Sequence, residues 1–275
     1  MDTNKKILIG SIGALVVAGG VAIGLILSKT PEKADLSTIH TETATKAPRE
    51  TLPPPSTEAP TTQAPEETKE NASSVSVSLD TYTSGKISIQ YPVVSQMEDA
   101  SKETKINELL KSNALSVIKA HDLDEEKDSL EIKCKVISAD RKRITVTYSG
   151  ILTAENAAHP LNLFFSNTLD LLQVQNMGLS DFTDAYTMAG YVLSEDVTFY
   201  NTTAESEIAA REYFQKDLSM DELTLIFDGA DFPLDKEGSW PSSFSYEKQG
   251  TIYFSVPVPH ALGDYVIVSF DPSTK

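Results

Sequence analysis

The chain has 275 residues, 40% of them apolar, with 40 acidic against 23 basic side chains and a formal net charge of −17. That balance argues against a nucleic-acid partner, whose phosphates demand Lys and Arg, and the length leaves room for an anchor plus one or two modest domains. A single cysteine, Cys134, permits no internal disulfide and reports no redox compartment.

Ile7–Ser28 carries no charge and is flanked by Lys5, Lys6 and Lys29. Its 22 residues, rising about 1.5 Å each, span roughly 33 Å, enough for a hydrocarbon core of about 30 Å. The run is longer than the apolar region of a cleavable signal peptide and has no Ala-x-Ala exit, so it reads as a retained single-pass anchor. With no cysteine near the membrane, a lipoprotein anchor is excluded. Gly20 and Gly24 form a GxxxG, a motif that lets two helices approach closely, although small residues are common in any spanning helix. The lysines on either side orient the span only weakly, with residues 1–6 cytoplasmic.

Residues 29–74 are Thr, Pro, Glu and Ala with almost nothing large and apolar, including His40. Such a segment cannot bury enough surface to offset its ordering entropy, and is expected to be a disordered tether. A stalk of this kind places residues 29–275 outside the membrane. The folded part then begins near Val75, and the expected division is a first module over 75–155 and a second over 156–275.

Val75, Val77 and Leu79 alternate with serines, and Ile87, Ile89 and Tyr91 repeat the alternation after a turn at Thr83–Lys86. The period then becomes helical: Ile106, Leu109, Leu110, Ala114, Val117 and Ile118 predict an amphipathic helix over 99–120, with Ser95 and Glu98 as a capping box. His121 opens an acidic loop. Leu130, Ile132, Cys134 and Val136 form one half of a hairpin and Ile144, Val146 and Tyr148 the other, with one face solvated, which predicts an antiparallel sheet. Cys134 falls on the apolar side and reads as a buried structural thiol. Further on, Leu161–Leu172 reads as a strand, Ala185–Leu193 as a helix, and Thr202 with Glu205 as a box opening a helix to about Lys216. Leu223–Phe227, Phe244–Tyr246, Thr251–Val256 and Tyr265–Phe270 read as strands, with a tight turn at Glu247–Gly250. Blocks of strands and helices without regular βαβ alternation indicate α+β, with antiparallel sheets packed against a few amphipathic helices.

Three stretches carry a resemblance. Ile87-Ser-Ile-Gln-Tyr91-Pro92 with Lys105-Ile106-Asn107 is one. Tyr148-Ser-Gly150, Ala157-Ala-His159-Pro160, Asn167-Thr-Leu-Asp170-Leu171 and Leu179-Ser-Asp181-Phe182 make the second. Gly250-Thr-Ile-Tyr-Phe254 with Val258-Pro-His260-Ala261-Leu-Gly263 is the third. In this order they resemble the paired extracytoplasmic modules of the RsiV-type anti-sigma factors, and the first also resembles the module beside the catalytic domain of PdaC-type polysaccharide deacetylases. The resemblance covers about residues 75–272. It implies an anchored envelope module that senses a lysozyme-like protein or binds a wall glycan such as peptidoglycan. With only Met1–Lys6 ahead of the span, sigma-factor inhibition is not expected to carry over, and the deacetylase catalytic domain has no counterpart.

Chemistry-bearing residues are sparse. No H-x-x-x-H or H-E-x-x-H spacing joins His40, His121, His159 and His260. Asp228, Asp231 and Asp235 sit close in sequence, but without EF-hand spacing and around Pro233 they read as an acidic turn in preference to a calcium loop. No cofactor or metal is expected. Trp240, in a Gly-Ser-Trp-Pro loop, can stack on a sugar or anchor a partner, or tuck over its own core. Gly263 is expected to supply a backbone conformation other residues avoid. The ligand-binding candidates are His159, Asp181, Trp240 and His260, on a non-catalytic binding or sensing module. Acidic surface would also attract a basic partner, although solubility alone explains it. The alternative is a wall-polymer hydrolase using Asp181, Asp228 and Asp231, which requires two carboxylates converging across about 5–9.5 Å.

Overall fold

The computed structural model describes residues 75–155, 157–234 and 238–274. The anchor over 7–28, the tether over 29–74 and Asp235 of the acidic turn lie outside them. No helix among the described residues is long and apolar enough to cross a membrane.

The architecture is α+β, with two sheets and four α-helices. The first sheet has six strands in sequence order: β1 (Ser76–Ser84), β2 (Ile87–Ser95), β3 (Ser129–Ala139), β4 (Arg143–Thr153), β5 (Leu161–Asp170) and β6 (Gln175–Met177). Helix α1 (Ala100–Ala120) connects β2 to β3. The expectation of wholly antiparallel pairing needs one correction, because β2 and β3 are parallel, with Ile87 opposite Leu130 and Ile89 opposite Ile132. A parallel pair needs a crossover long enough to carry the chain back, and α1 provides it. Alternation along the strands and the helical period of α1 meet in one core: Ile87, Ile89, Ile106, Leu110, Val117, Leu130, Ile132, Ile144, Val146 and Phe165 are all buried. Cys134 is buried there too, and burial pushes its thiol up to about 12, leaving it unreactive.

The cap of α1 is not the box over Ser95 and Glu98. Asp99 takes the position, its Oδ1 accepting from Ser101 N–H at 2.9 Å and Lys102 N–H at 3.0 Å. Glu103 reaches back to Met97 N–H. Asp and Glu both satisfy orphaned amides, so the choice between two adjacent acids is settled by which lies one residue before the helix. On the outermost strand, Asp80 Oδ1 accepts from the neighbouring Thr81 N–H and Oδ2 from the Tyr91 hydroxyl. The Tyr91 bond is the main reason its carboxyl is held below the usual range.

The second sheet has the order β7 (Thr198–Tyr200), β10 (Tyr265–Phe270), β9 (Thr251–Pro257), β8 (Ser245–Lys248), all antiparallel. Helices α2 (Ala185–Leu193), α3 (Ala204–Asp217) and α4 (Met220–Asp228) supply residues to its core: Met188, Val192, Phe214, Leu223 and Phe227 lie with Phe254, Val256 and Val268. Helix α4 replaces the strand expected over Leu223–Phe227. Ser219 accepts from Glu222 N–H while Glu222 returns a carboxylate to Ser219 N–H, a capping box that starts a helix. Leu223 and Phe227, four apart, then face the core together. At α3 the cap is Thr203 rather than Thr202, its hydroxyl accepting from Ser206 N–H.

Several contacts join the two sheets. Ser166 donates its hydroxyl to Ser245 O at 2.6 Å, Arg143 on β4 pairs with Glu247 on β8, and Phe232 and Phe244 complete the core of the first sheet.

Candidate functional site: a groove between the sheets

Odd-numbered residues of β3 and β4 point away from the α1 core because successive side chains in a strand alternate. Lys135, Thr147, Ser149 and Ile151 therefore share the outer face of the first sheet. On β5 the same face carries the even positions Asn162 and Phe164. The second sheet stands against this face and leaves a groove of about 630 Å³. Its far wall is Tyr200 at the end of β7, Tyr246 and Lys248 on β8, Tyr265 to Ile267 on β10, and Thr202, Thr203 and Ser206 at the start of α3.

The walls are aromatic. Phe164 and Tyr265 face each other with ring centroids 5.4 Å apart. Tyr200 meets Tyr253 edge-on at 4.9 Å, and Tyr253 in turn stacks on Tyr246 at 4.9 Å. Burial pushes the Tyr246, Tyr253 and Tyr265 phenols upward, so they stay neutral hydrogen-bonding groups. Tyr200 is 36% exposed and Ile151 52%, an apolar surface offered to solvent within a concave site. Thr147, Ser149, Asn162 and Asn201 add hydroxyl and amide groups to the lining. Among the described lining residues there is no carboxylate and no histidine.

The four candidates from sequence fall in three places. His159 and His260 come together, their exposed rings stacked at 5.1 Å. His260 Nδ1 lies 2.8 Å from Asp264 Oδ1, while Asp264 Oδ2 accepts from both the backbone and side-chain nitrogens of Asn162. Through Asn162, Leu262 and Gly263 this cluster borders one end of the groove, but neither imidazole lines it. Gly263 there has φ +100°, the left-handed conformation expected of it. Trp240 packs inward, against Phe165 at 5.2 Å and Phe244 at 5.1 Å, with His121 on its flank. Burial lowers the His121 imidazole, so it is neutral at physiological pH. Asp181 sits in a one-turn 3-10 helix, Leu179–Asp181, and accepts from Gly178 N–H at 2.8 Å. It lines a separate hollow of about 510 Å³ with Asp184, Phe227 and Asp228.

Of the carboxylates of the hydrolase alternative, Asp181 and Asp228 share that hollow, whereas Asp231 does not line it. Asp231 is 4% exposed and filled with donors: Leu179 N–H at 2.8 Å, and Ser245 N–H and hydroxyl each at 2.6 Å. It ties the Leu179 turn to β8 and is closed to substrate. No group of three or more His, Cys, Asp or Glu able to hold a metal occurs among the described residues.

No protein-family model matches the chain, and no curated protein matches it. Solved structures similar to it include two proteins of the DUF3298 family. One is a member of the DUF3298 family from Bacteroides fragilis, with 12% identity over 73% of this chain and 91% of that one, at a TM-score of 0.41. The other is a DUF3298 family protein from Pseudomonas aeruginosa PAO1, with 12% identity over 66% of this chain and 79% of that one, at a TM-score of 0.32. The groove itself must therefore carry the functional argument. Its residues carry no local signal in the sequence because they come from six strands and a helix start; a tyrosine at each of three strand positions means nothing until the sheets are docked.

Proposed function

We propose that this chain is a membrane-anchored, extracytoplasmic, non-catalytic binding module whose inter-sheet groove receives a glycan strand of the cell wall. The observation that carries the reading is the lining of the groove, which combines aromatic side chains with hydroxyl and amide groups. Sugars present apolar C–H faces and equatorial hydroxyls, and a site for them needs stacking surfaces plus placed hydrogen-bonding groups. The apolar run Ile7–Ser28 and the Thr/Pro/Glu-rich tether support the anchored placement. The resemblance to RsiV-type and PdaC-type envelope modules supports the same setting.

Titrating the full-length chain with soluble N-acetylglucosamine oligomers and with solubilised peptidoglycan strands tests this. Tyr200→Ala removes an exposed ring without opening either core, and is expected to weaken binding roughly tenfold, about 1.4 kcal/mol. Tyr186→Ala, which removes a ring 66% exposed on α2 and away from the groove, is expected to leave binding unchanged. Absence of saturable glycan binding would refute the reading. Tight, salt-sensitive binding to lysozyme in its place would assign the module to a basic protein partner.

A further inference from the structure

We infer that the groove selects an anionic glycan, one whose sugar units carry carboxylate groups, through Lys135 and Lys248. The inference rests on the glycan reading and adds the charge of the ligand. In a chain with 40 acids and 23 bases, the groove lining contains two lysines and no acid.

Of the carboxylates nearest in sequence, Glu205 is exposed on α3 and does not line the groove, and three others are turned to other partners. Glu131 pairs with Lys133 at 2.7 Å. Glu247 is taken by Arg143 and by Gly250 N–H. Asp264 is occupied by Asn162 and His260. Lys135 and Lys248, by contrast, make no ion pair among the described residues, and both are exposed. A negative protein surface surrounding a positive groove repels acidic ligands everywhere else and rewards them here, which is a specificity device rather than a gain in raw affinity. A basic protein would meet like charge in this groove.

The test compares two oligosaccharides of equal length on the full-length chain: a neutral N-acetylglucosamine oligomer and a peptidoglycan-derived oligomer with its muramic acid carboxylates free. The acidic oligomer is expected to bind roughly tenfold tighter at low salt, with the preference lost in about 0.5 M NaCl as exposed charge pairs are screened. Lys135→Gln combined with Lys248→Gln is expected to abolish the preference and leave the neutral oligomer within about twofold. Tyr200→Ala should weaken both oligomers alike. Equal affinities for the two oligomers, unchanged in the double lysine variant while Tyr200→Ala still weakens both, would overturn the anionic selection and leave the glycan groove standing. Failure of both oligomers to bind would overturn both.

Discussion

Gly150→Ala is expected to destabilise the protein by about 3 kcal/mol, an effect normally reserved for core truncations. Gly150 lies in β4 opposite Ile132, and a Cβ built there would stand 1.9 Å from Glu131 O and 2.7 Å from Ile132 Cδ1. The first obstacle is a backbone carbonyl in the middle of a ladder, which cannot rotate aside as a side chain would. Relief requires β3 and β4 to separate locally, at the expense of ladder hydrogen bonds and of the buried Leu130–Ile132 contacts beneath. The control is Gly190→Ala in α2, where the new methyl would meet nothing nearer than Met220 Cε at 3.5 Å. Removing a glycine from a helix there should be neutral or stabilising by up to about 1 kcal/mol. Urea unfolding of both variants decides the matter. A midpoint for Gly150→Ala equal to the wild type would mean that the strands do not approach as described.

The second large effect is a pH-dependent one at Asp231. Burial raises its carboxyl from the ordinary 3.8 to about 7, against the opposing pull of the Ser245 and Leu179 donors, and nearby Asp181 adds to the rise. The folded state therefore holds a proton that the unfolded chain releases near 3.8. The associated stability is fully present below pH 3.8, declines as pH rises, and is gone above about 7. Moving the ionisation over that range corresponds to roughly 4 kcal/mol. Asp231→Asn cannot ionise, so the difference in unfolding free energy between wild type and variant isolates this group from every shared titration. The amide is itself costly, since its N–H₂ would face Leu179 N–H, and a loss of about 2 kcal/mol is expected at pH 4. As pH rises toward 7 the wild type alone loses its roughly 4 kcal/mol, so the gap closes, reverses, and flattens with the variant about 2 kcal/mol the more stable. A gap that widens with pH would show that the three donors hold Asp231 ionised.

These two positions mark where sequence reasoning reached and where it stopped. The helix over Ala185–Leu193 and the strand over Tyr265–Phe270 were legible to the residue, and the helix expected over 99–120 starts one residue later, because their periodicities are strong and local. Leu223–Phe227 misled, since a five-residue apolar run fits a buried strand or a helix equally well. The deciding signal was the Ser219–Glu222 spacing just ahead of it. The parallel β2–β3 pair was invisible because β2 and β3 lie on either side of α1, and pairing direction is set by how that crossover packs. Gly150 stands out in the sequence only as part of a resemblance motif and Asp231 only as part of an acidic turn: the closeness of one and the burial of the other arise from elements distant in sequence. The same holds for the groove. His159 and His260 do meet at its edge, but Trp240 serves the core of the first sheet and Asp181 a different hollow.

Strand β1 is the outer strand of its sheet, nine residues of Ser, Thr, Val, Leu and Tyr with a single charge. A long, nearly uncharged edge of this kind is a template on which a second molecule can add a strand. Asp80 counters that in two ways at once, placing a negative charge midway along the edge and engaging the Thr81 amide with its own carboxylate. Because the Tyr91 hydroxyl holds that carboxylate ionised to lower pH than an ordinary aspartate, resistance to edge-to-edge self-association extends into acidic conditions, and light scattering against concentration on either side of the ordinary carboxylate range reads it directly.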